Sequence, residues 1–131
     1  MLAKKLIVVH GYSLRKNGEL GADKVVLDKA IELYRTGEYE GILLPAGTNE
    51  DTGEGKPLIF QQQEEYLLKQ GIPQKIIHTT TDSISSDTWT EIFIAHTLCR
   101  DLCDWRNNFF EIHAIGYFPH SLKVVGCWRR I

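Results

Sequence analysis

A dense set of hydroxyl and carboxylate side chains lies between Thr79 and Glu91, in the sequence TTTDSISSDTWTE. The segment follows a short apolar run and precedes a longer apolar run with helical spacing. Short polar side chains at such a junction can cap a helix, hold an anion or position a reacting group. The sequence therefore predicts the location of a site, and it does not identify the ligand.

Two roles for this turn follow from its residue types. Ser85, Asp87 and Thr88 can accept hydrogen bonds from the first N–H groups of a helix, which is a structural capping role. The same helix N-terminus offers backbone donors and the positive end of the helix dipole to a phosphate or carboxylate. Asp82 and Asp87 would repel such an anion unless a cation lies between them. Capping and anion binding therefore both remain open.

Histidine and lysine side chains supply further candidate contacts. His120 and Lys123 are three residues apart, so at the start of a helix they would lie on one side and could clamp an anionic group. On a solvated turn they would be ordinary surface residues. His10, after the first apolar run, is a general-base candidate if it faces the pocket, and a core or rim histidine if it does not.

Three known motifs are incomplete or absent. The GEGK sequence before Pro57 lacks the Ser or Thr that completes a phosphate loop, and Gly11 does not begin a GxGxxG dinucleotide motif. His96, Cys99 and Cys103 have helical spacing, but the apolar residues around them favour core packing over metal binding. The sequence therefore indicates no metal site, and any cofactor stays unknown.

The chain that must position these residues is 131 residues long, which is about one domain. Short β-branched runs alternate with longer runs of 3.6-residue periodicity, a pattern typical of βαβ units. We predict a single domain over residues 1–131, a three-layer α/β/α sandwich with a mostly parallel sheet of at least four strands. The predicted strands are Lys5–His10, Glu40–Pro45, Lys75–His78 and Phe109–Gly116.

Helices are predicted between and after these strands from apolar stripes and from start and stop residues. Gly37 and Gly71 suit helix C-caps, and Pro57 suits a first helical position. The predicted helices are Ala22–Arg35, Pro57–Gln70, Ser85–Asp104 and His120–Arg130, the third with Ser85, Ser86 or Asp87 as its N-cap.

Loops that follow parallel strands emerge at the same edge of a sheet, the carboxyl edge, and open α/β sheets bind ligands there. Parallel strands would therefore bring together the polar segments His10–Ser13, Ala46–Glu50, Thr79–Thr88 and Gly116–His120. We expect one cavity at this edge, lined by Gly47 and by the residue that caps the third helix.

Composition and charge argue against several partners. A net charge of −2 gives no electrostatic reason to expect nucleic acid or an anionic membrane. The apolar run after Lys4 and Lys5 is too short for a signal peptide or a spanning helix. The three cysteines form an odd set without CxxC spacing, which fits a reducing compartment. We expect a cytoplasmic protein without a nucleic-acid or membrane partner.

The order of these landmarks resembles the YdcF/SanA-like family, a bacterial family of unknown function with a Rossmann-like α/β fold. The resemblance spans nearly the whole chain. It includes Gly11 after the first strand, the AxxLY segment from Ala30, the turn at Ala46 and Gly47, and the YLLKQGIP segment Tyr66–Pro73. The resemblance implies a Rossmann-like fold.

The most specific part of the resemblance is the family's signature of an acidic residue, then Ser, Asn, Thr, Glu and Asn. The signature aligns onto Asp82, Ser85, Asp87, Thr88, Thr90 and Glu91, and the family's later His-x-x-Arg aligns onto His120 and Lys123. Asp87 replaces Asn, Thr90 replaces Glu, Glu91 replaces Asn and Lys123 replaces Arg. Val26 stands where an arginine is usual. The chain thus resembles a divergent and short member.

The favoured function is a small-molecule-binding domain whose anionic or nucleotide-like ligand occupies the carboxyl edge of the sheet. The expected ligand contacts combine the strand ends with the residues aligned to the family. They are His10, Gly11, Gly47, Thr48, Asp82, Ser85, Asp87, Thr88, His120 and Lys123.

Two other function classes remain. One is a hydrolase or transferase acting on a phosphorylated substrate, with a divalent cation held by Asp82, Asp87 or Glu50. The other is a noncatalytic interaction module that uses the aromatic residues near the end of the chain, Trp105, Phe118 and Trp128.

Overall fold

The computed structural model describes residues 4–11, 20–21, 23–47, 59–79, 88–102 and 110–116. Strands and helices alternate through these ranges. In chain order the elements are β1 (Lys4–Val9), α1 (Asp23–Tyr34), β2 (Gly41–Leu44), α2 (Ile59–Lys69), a short 3-10 helix (Gln74–Ile76), β3 (Ile77–Thr79), α3 (Thr88–Leu102) and β4 (Phe110–Ile115).

The four strands form one sheet in which every pair is parallel, in the order β3-β2-β1-β4. In its register, Ile7 on β1 lies between Ile42 on β2 and His113 on β4. The strand order proceeds from β1 through β2 to β3 and then reverses to place β4 on the other side of β1. The predicted parallel α/β sheet is confirmed.

Helices cover both faces of the sheet because successive strand residues point to opposite sides. On one face Ile7 and Val9 pack with Ile42 and Leu44 under the buried residues of α1 and α2, such as Leu27. On the other face the buried partners of α3 are sheet residues: Leu6, Val8 and Leu43 pack against Ala95 and Cys99. The fold therefore has the three predicted layers.

The third strand begins later than predicted, so the assignment of Lys75 to a strand is wrong. Pro73 has φ −64° and ψ 134°, and its carbonyl oxygen accepts a hydrogen bond from the N–H of Ile76 at 3.2 Å. This bond closes a 3-10 turn that places Lys75 on the surface, and strand geometry starts only at Ile77. Strand β3 extends to Thr79, one residue beyond the predicted end.

The other boundaries differ by small amounts. His10, Glu40, Pro45 and Gly116 were predicted as strand ends and lie just outside the strands. Helix α1 begins at Asp23 and ends at Tyr34, one residue inside the prediction at each end. The other predicted boundaries lie outside the described residues: Pro57, the caps Ser85, Ser86 and Asp87, Phe109, and the predicted helix His120–Arg130.

Glycines end α1 and α2 as the sequence predicts. Gly37 and Gly71 have φ values of 82° and 88°, which L residues with a side chain adopt only at a cost. Their N–H groups donate to the carbonyl oxygens of Tyr34 and Leu68, each at 3.1 Å, so the last helical carbonyls are not left unpaired. Both helices thus stop where the chain must turn back to the sheet.

Candidate functional site

The carboxyl edge of the sheet brings four chain segments together. His10, Pro45 and Gly116 directly follow β1, β2 and β4, and β3 ends at Thr79. Helices α1, α2 and α3 each follow a strand, so their N-termini lie toward the same edge. The edge therefore combines strand ends with helix N-termini, the arrangement that binds ligands in open α/β sheets.

The ends of β1 and β4 are tied together at His10. Its backbone N–H donates to the carbonyl oxygen of Ile115 at 2.9 Å, and the residue is fully buried. This hydrogen bond extends the β1–β4 ladder by one step beyond the two strands. His10 therefore lies inside the edge, where strand order reverses, and its backbone donor is already used by the protein.

Gly11 is required by the close approach of the chain after β1 to the chain after β2 and to the start of α2. A β-carbon at Gly11 would lie 2.5 Å from Cβ of Ala46 and 2.9 Å from Cγ2 of Ile59. Neither distance is compatible with an ordinary carbon–carbon contact. Sequence reasoning proposed this glycine as a ligand contact, and the structure supplies a packing reason for it.

The N-terminus of α2 is capped by the end of β2. The N–H groups of Ile59 and Phe60 donate to the carbonyl oxygens of Gly47 and Ala46, both at 2.9 Å. Gly47 and Ile59 are thus in direct contact although eleven residues, 48–58, separate them in sequence. Because two N–H groups of the first turn are bonded internally, α2 has fewer free donors for an anion.

A buried carboxylate occupies the N-terminus of α1. Asp23, in the first turn, is fully buried, and its Oδ2 accepts a hydrogen bond from Nε2 of Gln63 on α2 at 3.4 Å. A negative charge there is stabilised by the positive end of the helix dipole. The other amide atom, Oε1 of Gln63, is also buried and accepts no hydrogen bond.

Sequence reasoning missed this pair. Gln63 lies on the buried side of α2, and an amide among apolar residues of a helix is a signal that a polar partner is needed. Asp23 carried no such signal, because an acidic residue in a first helical turn is ordinarily an exposed one. The two residues are 40 positions apart in sequence, so no local pattern reveals the contact.

Most of the residues expected to bind the ligand lie outside the described part of the chain. Helix α3 begins at Thr88, directly after Asp87, which agrees with a helix start at the family-like signature. His10, Gly11 and Gly47 are described, and all three are buried at the carboxyl edge. The positions of Thr48, Asp82, Ser85, Asp87, His120 and Lys123 are not described.

A separate groove of about 490 Å³ runs along the outer surface between α1 and α2. Tyr66 lies in it and donates its hydroxyl to Asp28; this hydrogen bond, with burial and the negative charge of Asp28, raises the pKa of Tyr66. Lys69 pairs with Glu65 at 3.0 Å. None of the residues expected to bind the ligand is among those lining this groove: Leu20, Lys24, Gln62, Glu65, Tyr66, Lys69 and Gln70.

Within the described residues, no three His, Cys, Asp or Glu side chains are close enough to hold a metal ion. The helices in the same ranges include none with the length and apolar character needed to cross a membrane. The carboxylates considered for a cation, Glu50, Asp82 and Asp87, lie outside these ranges.

Comparisons of this chain with protein-family models, with curated proteins and with solved structures found no match. The resemblance to the YdcF/SanA-like family therefore stays a prediction carried by the quoted residues. The geometry of the carboxyl edge is the independent ground for assigning a site.

Proposed function

We propose that this protein is a divergent YdcF/SanA-like domain that binds an anionic small molecule at the carboxyl edge of its sheet. In this proposal the floor of the site is formed by the ends of β1 and β2, at His10, Gly11 and Gly47. The expected contacts with the ligand come from the segments that follow the strands, at Thr48, Asp82, Ser85, Asp87, Thr88, His120 and Lys123.

The observation that carries the proposal is the reversal of strand order between β1 and β4. At such a point the connections from two neighbouring strands leave in opposite directions and a crevice opens between them. Here the chain leaves β1 at His10 and β4 at Gly116, and the His10 to Ile115 hydrogen bond keeps the two ends side by side. The segment with His120 and Lys123 follows Gly116 directly.

The three helix N-termini at this edge differ in what they offer an anion. At α1 the buried carboxylate of Asp23 already occupies the positive end of the dipole. At α2 the carbonyl oxygens of Ala46 and Gly47 take two of the first N–H groups. Helix α3 remains, and it begins at the hydroxyl-rich signature. This elimination favours the N-terminus of α3 as the position of the anionic group.

The test is a calorimetric titration of inorganic phosphate into the wild-type protein and the Lys123→Ala variant. If Lys123 contacts the anion, its removal should weaken binding by about 1.5–3 kcal/mol, the range for a charge-assisted hydrogen bond. Added salt should weaken binding by the wild type as well. Identification of small molecules released when the purified protein is denatured would give the natural ligand.

Lys75→Ala is the matched control, because exposed Lys75 precedes β3 and so lies toward the opposite, amino edge of the sheet. Equal phosphate affinities for the Lys123→Ala and Lys75→Ala variants would refute a role for Lys123. Release of phosphate from a bound monoester, dependent on a divalent cation, would instead identify the protein as a hydrolase, the alternative that uses Asp82, Asp87 or Glu50.

A further inference from the structure

Strand β4 forms one edge of the described sheet, and half of its backbone groups point outward from that edge. In a parallel ladder, alternate residues direct their N–H and C=O groups to the same side. The carbonyl oxygen of Ile115 accepts a hydrogen bond from His10, so Ile115 and His113 face β1. Ile112 and Ala114 therefore direct their backbone groups away from β1. Among the residues that the structure describes, no strand pairs with this side of β4.

The side chains beside this edge leave it accessible. Glu111 and His113 lie on the α1–α2 face with Ile115, and both are exposed; the side chain of Glu111 is 66% exposed. On the α3 face Ile112 and Ala114 are half-buried against a small apolar cluster. An accessible strand edge of six residues is a site at which another strand can add through backbone hydrogen bonds.

Two side chains at this edge complement each other. The carboxylates of Glu111 and Glu38 share the ammonium group of Lys5, at 3.8 and 3.7 Å, so two negative charges face one positive charge. Nδ1 of His113 lies 2.9 Å from the hydroxyl of Tyr39, which precedes β2 on the opposite side of β1 from the edge. When that hydroxyl donates, Nε2 carries the ring proton and points away from Tyr39. The edge thus offers an acceptor at Glu111 and a donor at His113.

We propose that the outer edge of β4 binds the same edge of a second copy of this chain, in an antiparallel pair centred on Ile112. A two-fold axis at Ile112 places Glu111 opposite the second copy's His113, and His113 opposite the second copy's Glu111. Because the backbone groups of both residues face β1, these are non-hydrogen-bonded positions, at which opposite side chains come closest.

Charge decides both the register and the partner. An axis at Glu111 would place two carboxylates opposite each other, and an axis at His113 would do the same with two imidazoles. Of these three axes, the one at Ile112 pairs unlike groups, and it does so twice because the axis is two-fold. This edge is therefore complementary to itself, which favours a second copy over an unrelated extended peptide.

The test measures self-association of the protein by sedimentation velocity. A contact confined to one strand edge is small, so the wild-type protein should dimerise with a Kd of about 10–100 µM. His113→Glu places carboxylates opposite each other, and Glu111→Lys places an ammonium group opposite an imidazole. Each variant alone should therefore dimerise about tenfold more weakly. An equimolar mixture of the two variants should dimerise again, because every carboxylate then lies opposite a lysine or a histidine.

Glu38→Lys is the matched control. It removes the other carboxylate that pairs with Lys5, but Glu38 precedes β2 and does not lie on β4. The Kd of this variant should equal that of the wild type. Self-association that His113→Glu weakens no more than Glu38→Lys does would overturn the inference. A wild-type protein that is monomeric at every concentration, or a mixture of variants that stays monomeric, would overturn it as well.

Hydrogen exchange in the wild type gives a test that does not depend on the folding of a variant. The amide protons of Ile112 and Ala114 should exchange about fivefold more slowly at about ten times Kd than in dilute solution, by mass action. The amide of Ile115 faces β1 and should not change. Protection of Ile112 that does not depend on concentration would overturn the inference, because a segment of the same chain would then occupy the edge.

Discussion

On one face of the sheet α1 and α2 pack side by side, and on the other α3 covers the described strands. The α1–α2 face buries a continuous apolar cluster that extends from Leu20 to Ile77. The described cluster under α3 is smaller and consists of Leu6, Val8, Leu43, Ala95 and Cys99. Exposed apolar side chains do not distinguish the two faces, since Phe93 on α3 is 64% exposed and Val25 on α1 is 68% exposed.

The two faces of the sheet also differ in the polar contacts between their helices. Side-chain hydrogen bonds join α1 or its C-terminal turn to α2 or its C-terminal turn at three levels: Asp23 to Gln63, Asp28 to Tyr66, and Arg35 to the backbone of Gln70. These contacts fix the two helices along their length. The family-like signature precedes α3 instead. Polar contacts therefore join the helices of the α1–α2 face, whereas the proposed anion position belongs to the helix on the other face.

Substitution of Gly11 should destabilise the α1–α2 face most. In Gly11→Ala the new methyl group meets Cβ of Ala46, an atom fixed to the backbone that cannot rotate away. We expect the free energy of unfolding to fall by about 1–3 kcal/mol, the usual cost of overpacking. Urea denaturation followed by circular dichroism would measure it.

Removal of the obstructing methyl group is the control for this prediction. Ala46→Gly should restore part of the stability lost in Gly11→Ala, although the contact with Ile59 remains. The two substitutions should therefore couple by about 0.5–1 kcal/mol or more in a double-mutant cycle. Strictly additive losses would show that the approach of β1 to β2 does not limit residue 11.

A smaller effect is expected where the α1–α2 contact is polar and solvated. Tyr66→Phe removes the hydroxyl that donates to Asp28 and leaves the ring in place. Because this hydrogen bond lies at the surface, its loss should cost about 0.5–1 kcal/mol. Tyr34→Phe is the matched control, since Tyr34 packs against the same core and makes no side-chain hydrogen bond in the described structure. Equal unfolding free energies for the two variants would contradict the prediction.

The sequence was sufficient for the architecture because local periodicity and helix signals agree with the fold. The runs LIVV and GILL are buried on both faces, as in parallel strands covered by helices. Gly37 and Gly71 end their helices through backbone conformations that the glycines themselves indicate. The error at Lys75 arose because a 3-10 turn and a strand start share the same short apolar run.

For the candidate site, the sequence predicted the edge of the sheet at which it lies and not the contacts between its residues. The convergence of His10, Gly11 and Gly47 follows from parallel topology, which the sequence indicates. The Asp23 to Gln63 contact and the 2.9 Å hydrogen bond between Tyr39 and His113 join residues far apart in sequence, and no local pattern encodes them. The packing role of Gly11 was hidden for the same reason, since its neighbours Ala46 and Ile59 come from other elements.

The smallest effect should appear on the α3 face, at His78. Its register partner Leu43 belongs to that face, and its ring lies 3.2 Å from the position a β-carbon on Gly41 would occupy. Partial burial lowers the pKa of His78 below its ordinary value of 6.5, so the folded protein binds a proton less readily than the unfolded chain. The contribution of His78 to the free energy of unfolding is therefore complete above about pH 6.5, and it is lost as the pH falls from 6.5 toward the lower pKa of the folded protein.

We therefore expect the urea midpoint of the wild-type protein to decrease as the pH is lowered from about 7.5 to about 5.5. The decrease should be smaller in His78→Gln, in which this group no longer titrates. The other histidines are present in both proteins, so the difference between the two pH profiles isolates His78. Parallel profiles would mean that the ring at residue 78 is hydrated as well in the folded protein as in the unfolded chain. The α3 face would then be more open beside β3 than the packing of His78 over Gly41 indicates, and the contrast between the two faces would widen.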